Sequence, residues 1–165
     1  MVTNTGQKVH ALIIVLATGS QWRIPRIQGL QDYTNKGVVF ESGEDAHDFS
    51  GKDVVILGGG DNAVTHAYYA LKNAKSVTLV VRSNLKATGW RTQRIQKIAK
   101  QKKKFTILYH QNIQTISGDN TKVTSVTLKD GSTLPTDLVV VLSVERQEMR
   151  YINMQLRAMS KGTSS

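Results

Sequence analysis

The residues best placed to do chemistry form one tight run, Gly58-Gly59-Gly60-Asp61-Asn62-Ala63. Its spacing fits G-x-G-x-x-A, the pattern of a turn that leads from a strand into a helix and grips a diphosphate. Gly58 permits the tight bend. Gly60 has no Cβ, so the main chain can approach pyrophosphate oxygens closely. Ala63 lets the helix pack against the strand. Asp61 and Asn62 begin that helix, whose first N–H groups, at the positive end of its dipole, receive the phosphate oxygens. The run follows the strand-like segment Asp53–Leu57 and precedes a second one, Ser76–Val81, which is the context the pattern requires. About 20 residues past the glycines, an Asp or Glu would bind the ribose hydroxyls of NAD and an Arg would suit the 2′-phosphate of NADP. The sequence there reads Val80-Val81-Arg82-Ser83-Asn84-Leu85-Lys86. It offers the cation Arg82, the hydroxyl of Ser83 and the further charge of Lys86, and it predicts preference for NADP(H) over NAD(H).

Other groupings carry less. Glu41, Glu44, Asp45 and Asp48 cluster with His47, but their spacing matches no metal template, and a solvated acidic loop accounts for them better. His10, His47, His66 and His110 are scattered, and no Gly-x-Ser-x-Gly elbow occurs. Cysteine is absent, which removes disulfides, thiolate chemistry and cysteine-ligated metals and is compatible with a reducing cytoplasm. No side chain is assigned a catalytic or metal-binding role.

These groups need a scaffold to position them. The 165 residues are enough for one domain with one core. No apolar run approaches the roughly 20 residues of a membrane span, and the polar start Met1–Lys8 has no leader pattern. Lys8–Ala17 reads as extended, Gln21–Tyr33 with Pro25 as a connector, and Val38–Phe40 as a short strand. Ala63, Val64, Ala67, Tyr68 and Leu71 recur at helical spacing after the glycines. Trp90, Ile95, Ile98 and Ala99 predict a second, amphipathic helix, and Phe105–Tyr109 a third strand of the α/β run. Ile113–Ile116, Lys122–Leu128 and Thr133–Leu142 follow as a β-meander, with Asp130-Gly131 as a hairpin turn. Val144–Met159 is a candidate helix, and Lys161–Ser165 is expected to be disordered. The alternation of strands and helices predicts an α/β fold: a Rossmann-type three-layer domain with a parallel central sheet and a β-meander.

The net charge is +10, and much of that surplus lies between Arg82 and Lys104, where no acidic residue occurs. Such a surplus favours anionic partners. Arg91, Arg94, Lys97, Lys100, Lys102, Lys103 and Lys104 could contact the phosphates of RNA or DNA, with Trp90 or Phe105 stacking. A helix that buries Ile95 and Ile98 and keeps its lysines in water explains the same residues more simply. Nucleic acid is therefore the less favoured partner. A nicotinamide dinucleotide, an acidic electron-transfer protein and a second copy of the chain (a homodimer) are the partners carried forward, with no membrane.

Taken in order, Ala17-Thr18-Gly19-Ser20, Pro25 to Gly29, Phe49-Ser50-Gly51-Lys52, the glycine run, Val77-Thr78-Leu79-Val80-Val81-Arg82, Gly118-Asp119, Val123–Leu128 and Leu134-Pro135-Thr136-Asp137 resemble the thioredoxin reductase-like flavoproteins, which include ferredoxin/flavodoxin–NADP reductases of thioredoxin-reductase type. The resemblance covers residues 5 to 142. It implies a remnant of an FAD-domain strand and connector over residues 1–36, an NAD(P)H-binding domain over 37–142 and a tail over 143–165 without counterpart. It implies NADP(H) as ligand and FAD in a complete family member. The first FAD glycine fingerprint and the closing glycine-aspartate segment of that family are missing, so the chain is expected to be a fragment, an isolated domain or a truncation with little turnover of its own. Glu41-Ser42-Gly43-Glu44 stands where the disulfide reductases carry C-x-x-C, and carboxylates cannot exchange disulfides. Thr65-His66 replaces two acids of the first helix, and Ala87 replaces a later arginine, leaving Arg82 alone of the family's basic cluster. A nucleotide-sensing or interaction module without catalysis, or a basic RNA-binding domain, is the alternative.

Overall fold

The computed structural model describes residues 5–8, 10, 12–13, 22–40, 48–142 and 145–146. The chain divides into two compact units, Met1–Arg23 with Glu145–Ser165, and Ile24–Val144. In the first, β1 (Trp22–Arg23) pairs antiparallel with β10 (Glu145–Arg146). Glu145 and Arg146 are thus extended where a helix was expected. The other residues of the expected tail helix, the C-terminal end and most of Lys8–Ala17 lie outside the described residues.

The second unit is built on a five-stranded parallel sheet of order β2-β9-β3-β4-β5, comprising β2 (Val38–Phe40), β3 (Asp53–Leu57), β4 (Ser76–Val81), β5 (Phe105–Tyr109) and β9 (Leu138–Val141). Strand β3 lies between β9 and β4, so both of its faces must be apolar. Period-two alternation sends Val54 and Ile56 to one core and Val55 and Leu57 to another. The first core is closed by α1 (Asp61–Asn73) and α2 (Gly89–Gln101). Helix α1 buries Ala63, Val64, Ala67 and Leu71 of the predicted stripe, and Ala70 besides, while Tyr68 is only partly buried at its margin. Helix α2 fully buries only Ile95, with Ile98 and Ala99 partly covered, while Trp90 is exposed, against the expectation that it joins the apolar stripe. The second core is closed by an antiparallel meander of β6 (Ile113–Gly118), β7 (Val123–Leu128) and β8 (Thr133–Pro135). Helices, parallel sheet and meander make the three layers of a Rossmann-like α/β fold. No helix among the described residues is long and apolar enough to cross a membrane.

One expected element divides. Thr133–Leu142, read as a single meander strand, is two: β8 stays in the meander, and β9 crosses into the middle of the parallel sheet. Thr136 and Asp137 make the crossing. The buried Thr136 hydroxyl donates to the Asp53 carbonyl (2.9 Å) and the Leu138 carbonyl (3.2 Å). The Asp53 and Asp137 N–H groups donate to the Asp137 carboxylate (3.0 Å) and the Asp53 carbonyl (2.8 Å). The Asp53 carboxylate in turn accepts from Lys75 and Ser76, both at 2.6 Å.

The hydrogen bond from Lys75, then that from Ser76, holds the Asp53 carboxyl below its ordinary value. Thr121 does the same for Asp119, and Ser132 for Asp130. Depressed carboxyls stabilise the fold above their unfolded value, and that contribution is lost as pH falls through the lower folded values. The urea midpoint is therefore expected to hold above about pH 4 and drop below it. Asp53→Asn is expected to start lower at neutral pH and to fall less on acidification.

Candidate functional site

The glycine run occupies the C-terminal edge of the parallel sheet, where β3 hands the chain to α1. From β3 the chain winds outward through β4 to β5, while β9 and β2 lie on the other side of β3. Open α/β sheets bind ligands in the crevice at such a reversal. The turn is fixed on both flanks. The Gly58 N–H donates to the Val80 carbonyl (3.1 Å), and the Leu142 N–H to the Leu57 carbonyl (2.8 Å).

The three glycines differ in what surrounds them. Gly58 has φ +149°, and a Cβ there would stand 3.1 Å from the Cβ of Ala63 and 3.3 Å from the Leu142 carbonyl carbon. This is the tight bend and close helix approach expected of the first glycine. At Gly59 a Cβ would stand 2.8 Å from Cγ1 of the buried Val81. Gly59 is thus required by packing against β4, a constraint the G-x-G-x-x-A pattern leaves unspecified. At Gly60 a Cβ would meet nothing within 4 Å. Gly60 is also the N-cap of α1, with no side-chain cap. A helix N-terminus presents N–H groups without intrahelical partners and a positive dipole end, and this one opens onto free space.

The second predicted half of the site lies against the first. The loop after β4 is tied to the glycine turn by the Lys86 N–H, which donates to the Gly59 carbonyl at 2.7 Å. Arg82 and Lys86 are exposed, Ser83 is half-buried, and neither cation has a carboxylate partner among the described residues. Asn62 is exposed, and its main-chain carbonyl lies 2.9 Å from Nδ1 of the buried His66. Ala63 is buried beneath the turn.

Asp61 has a task that the sequence did not disclose. Its Oδ1 accepts from the Thr88 N–H and hydroxyl, both at 2.9 Å, and pairs with Arg91 Nη1 at 3.0 Å. Thr88 is the N-cap of α2. The carboxylate therefore binds the start of α2 to the start of α1, and Arg91 neutralises a negative charge that would otherwise repel an anion. The Thr88 N–H, then Arg91, holds the Asp61 carboxyl below its ordinary value. The usable signal was an acid at the first position of a helix meant to receive phosphate, which needs a cation elsewhere. Asp61→Ala is expected to lower the melting temperature and to speed amide exchange in the first turn of α2 without changing exchange in β7. Unaltered exchange at α2 would remove Asp61 from this role.

The acidic residues 41–47 lie outside the described residues, and no cluster able to hold a metal ion occurs among those described.

Residues 1–146 match the family model described as pyridine nucleotide-disulphide oxidoreductase. Among curated relatives, thioredoxin reductase of Peptoclostridium acidaminophilum is 36% identical over 69% of this chain and 36% of its own length. Thioredoxin reductase of Listeria innocua is 32% identical over 85% of this chain and 44% of its own length. The crystal structure of Lactococcus lactis thioredoxin reductase superposes with a TM-score of 0.65 at 27% identity, covering 78% of this chain and 43% of that one. The chain thus spans less than half the length of these relatives.

Proposed function

This chain belongs to the pyridine nucleotide-disulphide oxidoreductase family, of thioredoxin reductase-like type, and on that premise we propose that it is an NADPH-preferring dinucleotide-binding domain of an FAD-dependent oxidoreductase. The observation that carries the reading is the bare cap of α1. A Ser, Thr or Asp at that position would cap the helix with its side chain and stabilise it by a few tenths of a kcal/mol over glycine, yet the chain places Gly60 there, without a side-chain cap and facing open space. A pyrophosphate fits what is left: main-chain donors, a positive dipole end and no side chain in the way.

On this reading residues 37–142 form the NAD(P)H-binding domain. The amides at the start of α1 hold the pyrophosphate, Gly58 and Gly59 keep the turn close to Ala63 and Val81, and Asp61 positions α2. Arg82, Ser83 and Lys86 meet the 2′-phosphate. Bound there, the dinucleotide would supply hydride to the flavin of a complete family member. The sequence holds a single G-x-G-x-x-A turn, so the residues present fit one dinucleotide, and FAD is assigned to a complete member of the family. Without cysteine the chain has no thiol for disulfide exchange. The cytoplasm is the compartment that goes with this reading.

Calorimetric titration with NADPH, NADH and FAD tests it. NADPH is expected to bind about tenfold or more tighter than NADH, the value of one charge-assisted phosphate contact, and FAD to give no heat. Equal or tighter NADH binding would overturn the 2′-phosphate assignment. Absence of heat with both nicotinamide dinucleotides would overturn the function.

A further inference from the structure

Strand β5 is the outer strand of the parallel sheet on the α2 side, and among the described residues nothing pairs with its free edge. The Val77 N–H donates to the Lys104 carbonyl (2.8 Å), and Val77 lies opposite Phe105. In a parallel ladder this alternation turns the main-chain groups of Thr106 and Leu108 toward β4 and those of Ile107 and Tyr109 outward. A groove of about 520 Å³ runs between that edge and α2. Its floor is Ala99, Phe105, Ile107 and Tyr109, and its lip carries Gln96 and Lys100. The Gln96 amide donates to the Tyr109 hydroxyl at 3.0 Å and fixes one wall.

The cations of α2 and of the turn that leads from it into β5 divide into two groups. Lys104 is spent on the Ala74 carbonyl at the end of α1 (3.0 Å), Arg94 lies over the Tyr68 ring (5.0 Å), and Arg91 is held by Asp61. Lys97, Lys100, Lys102 and Lys103 are exposed and have no carboxylate partner among the described residues. Lysines near a sheet edge often serve to discourage pairing. Here Lys100 stands at the lip of an apolar floor, Lys97 lies on the same helix, and Lys102 and Lys103 come just before β5, so their charge repels basic strands and attracts acidic ones. A second copy of the chain would set two lysine runs against each other.

We infer that the β5 edge and its groove receive an extended acidic segment of a partner protein, added as a sixth strand. Main-chain hydrogen bonds to Ile107 and Tyr109 supply the pairing, and the alternate side chains that face α2 are acidic, laying their methylene stems over the groove floor and their carboxylates against Lys97 and Lys100, with Lys102 and Lys103 adding charge just before β5. This surface is separate from the glycine turn, and the inference does not depend on dinucleotide binding.

The test uses the full chain and a labelled synthetic peptide that alternates valine and glutamate, read by fluorescence anisotropy. The peptide is expected to bind, to weaken about tenfold or more when lysine replaces its glutamates, and to weaken similarly against the double variant Lys100→Glu/Lys103→Glu. N-methylation of alternate peptide amides is expected to abolish binding, because it removes the strand hydrogen bonds. Binding that survives N-methylation would reduce the surface to general charge attraction and overturn the inference, as would no binding at all. Tighter binding of an oligouridine, with the same loss in the lysine variant, would overturn it in favour of nucleic acid.

Discussion

Gly60→Asp is expected to raise the melting temperature of this chain and to weaken dinucleotide binding about a hundredfold. The backbone at Gly60 has φ −89° and ψ −175°, an extended conformation open to any residue, and a Cβ there meets nothing within 4 Å. The new side chain therefore enters without strain. Its carboxylate accepts from the first-turn amides and sits at the positive end of the dipole, which together add about 1 kcal/mol. In a chain of this size that is a gain of roughly 2–4 °C. The same carboxylate occupies the donors that a pyrophosphate needs and repels it, so affinity for NADPH is expected to fall by about two orders of magnitude, or about 2.8 kcal/mol. Gly59→Ala should do the reverse of the stability effect. Its Cβ stands 2.8 Å from Cγ1 of Val81, a stiff β-branched side chain in a closed core, and overpacking of this kind costs about 1–3 kcal/mol. Melting curves and calorimetry on the two variants separate a glycine kept for ligand from a glycine kept for packing. Wild-type NADPH affinity in Gly60→Asp would remove the turn from the binding site.

That contrast marks how far the sequence could be read. Asp53–Leu57 and Ser76–Val81 announce buried strands because a strand covered on both faces must be apolar throughout, and the alternation of Val54 and Ile56 against Val55 and Leu57 divides the two cores. The Asp130-Gly131 hairpin is legible because its chemistry is local: the Asp130 carboxylate accepts from the Ser132 N–H and hydroxyl two residues on. The crossing at Thr136 and Asp137 is not local. Their partners lie at Asp53, more than 80 residues earlier, so nothing in the apolar run itself shows where the meander ends. The site divides in the same way. The glycine spacing and Arg82 can be read from short-range pattern, whereas the Asp61–Thr88–Arg91 tie exists only once two helices start side by side. Trp90 illustrates the converse error: its type suits an apolar stripe, but at the second position of α2 it projects beyond the core, with the Arg91 guanidinium 4.9 Å from its ring.

Arg82→Ala is expected to remove the preference for NADPH while leaving NADH affinity unchanged. Hydrogen bonds to a charged group contribute about 1.5–3 kcal/mol, which is a loss of roughly tenfold to a hundredfold for NADPH. The loss should be large for one residue because Ala87 removes a second arginine, leaving Arg82 to share the 2′-phosphate with the neutral Ser83 and the more flexible Lys86. Lys86 is held in place through its N–H on Gly59, so its ammonium supports Arg82 without replacing the planar, two-pronged contact of a guanidinium. Arg82 is exposed, so the preference should also shrink as salt rises, because exposed charges are screened within about 10 Å at 0.1 M. Arg82→Glu should go further and turn the preference toward NADH, since a carboxylate repels the 2′-phosphate and accepts from free ribose hydroxyls. The measurement is the ratio of NADPH to NADH dissociation constants for the three proteins at low and moderate salt. An undiminished ratio in Arg82→Ala would show that the second strand's end does not read the phosphate, while leaving the glycine turn free to bind either dinucleotide.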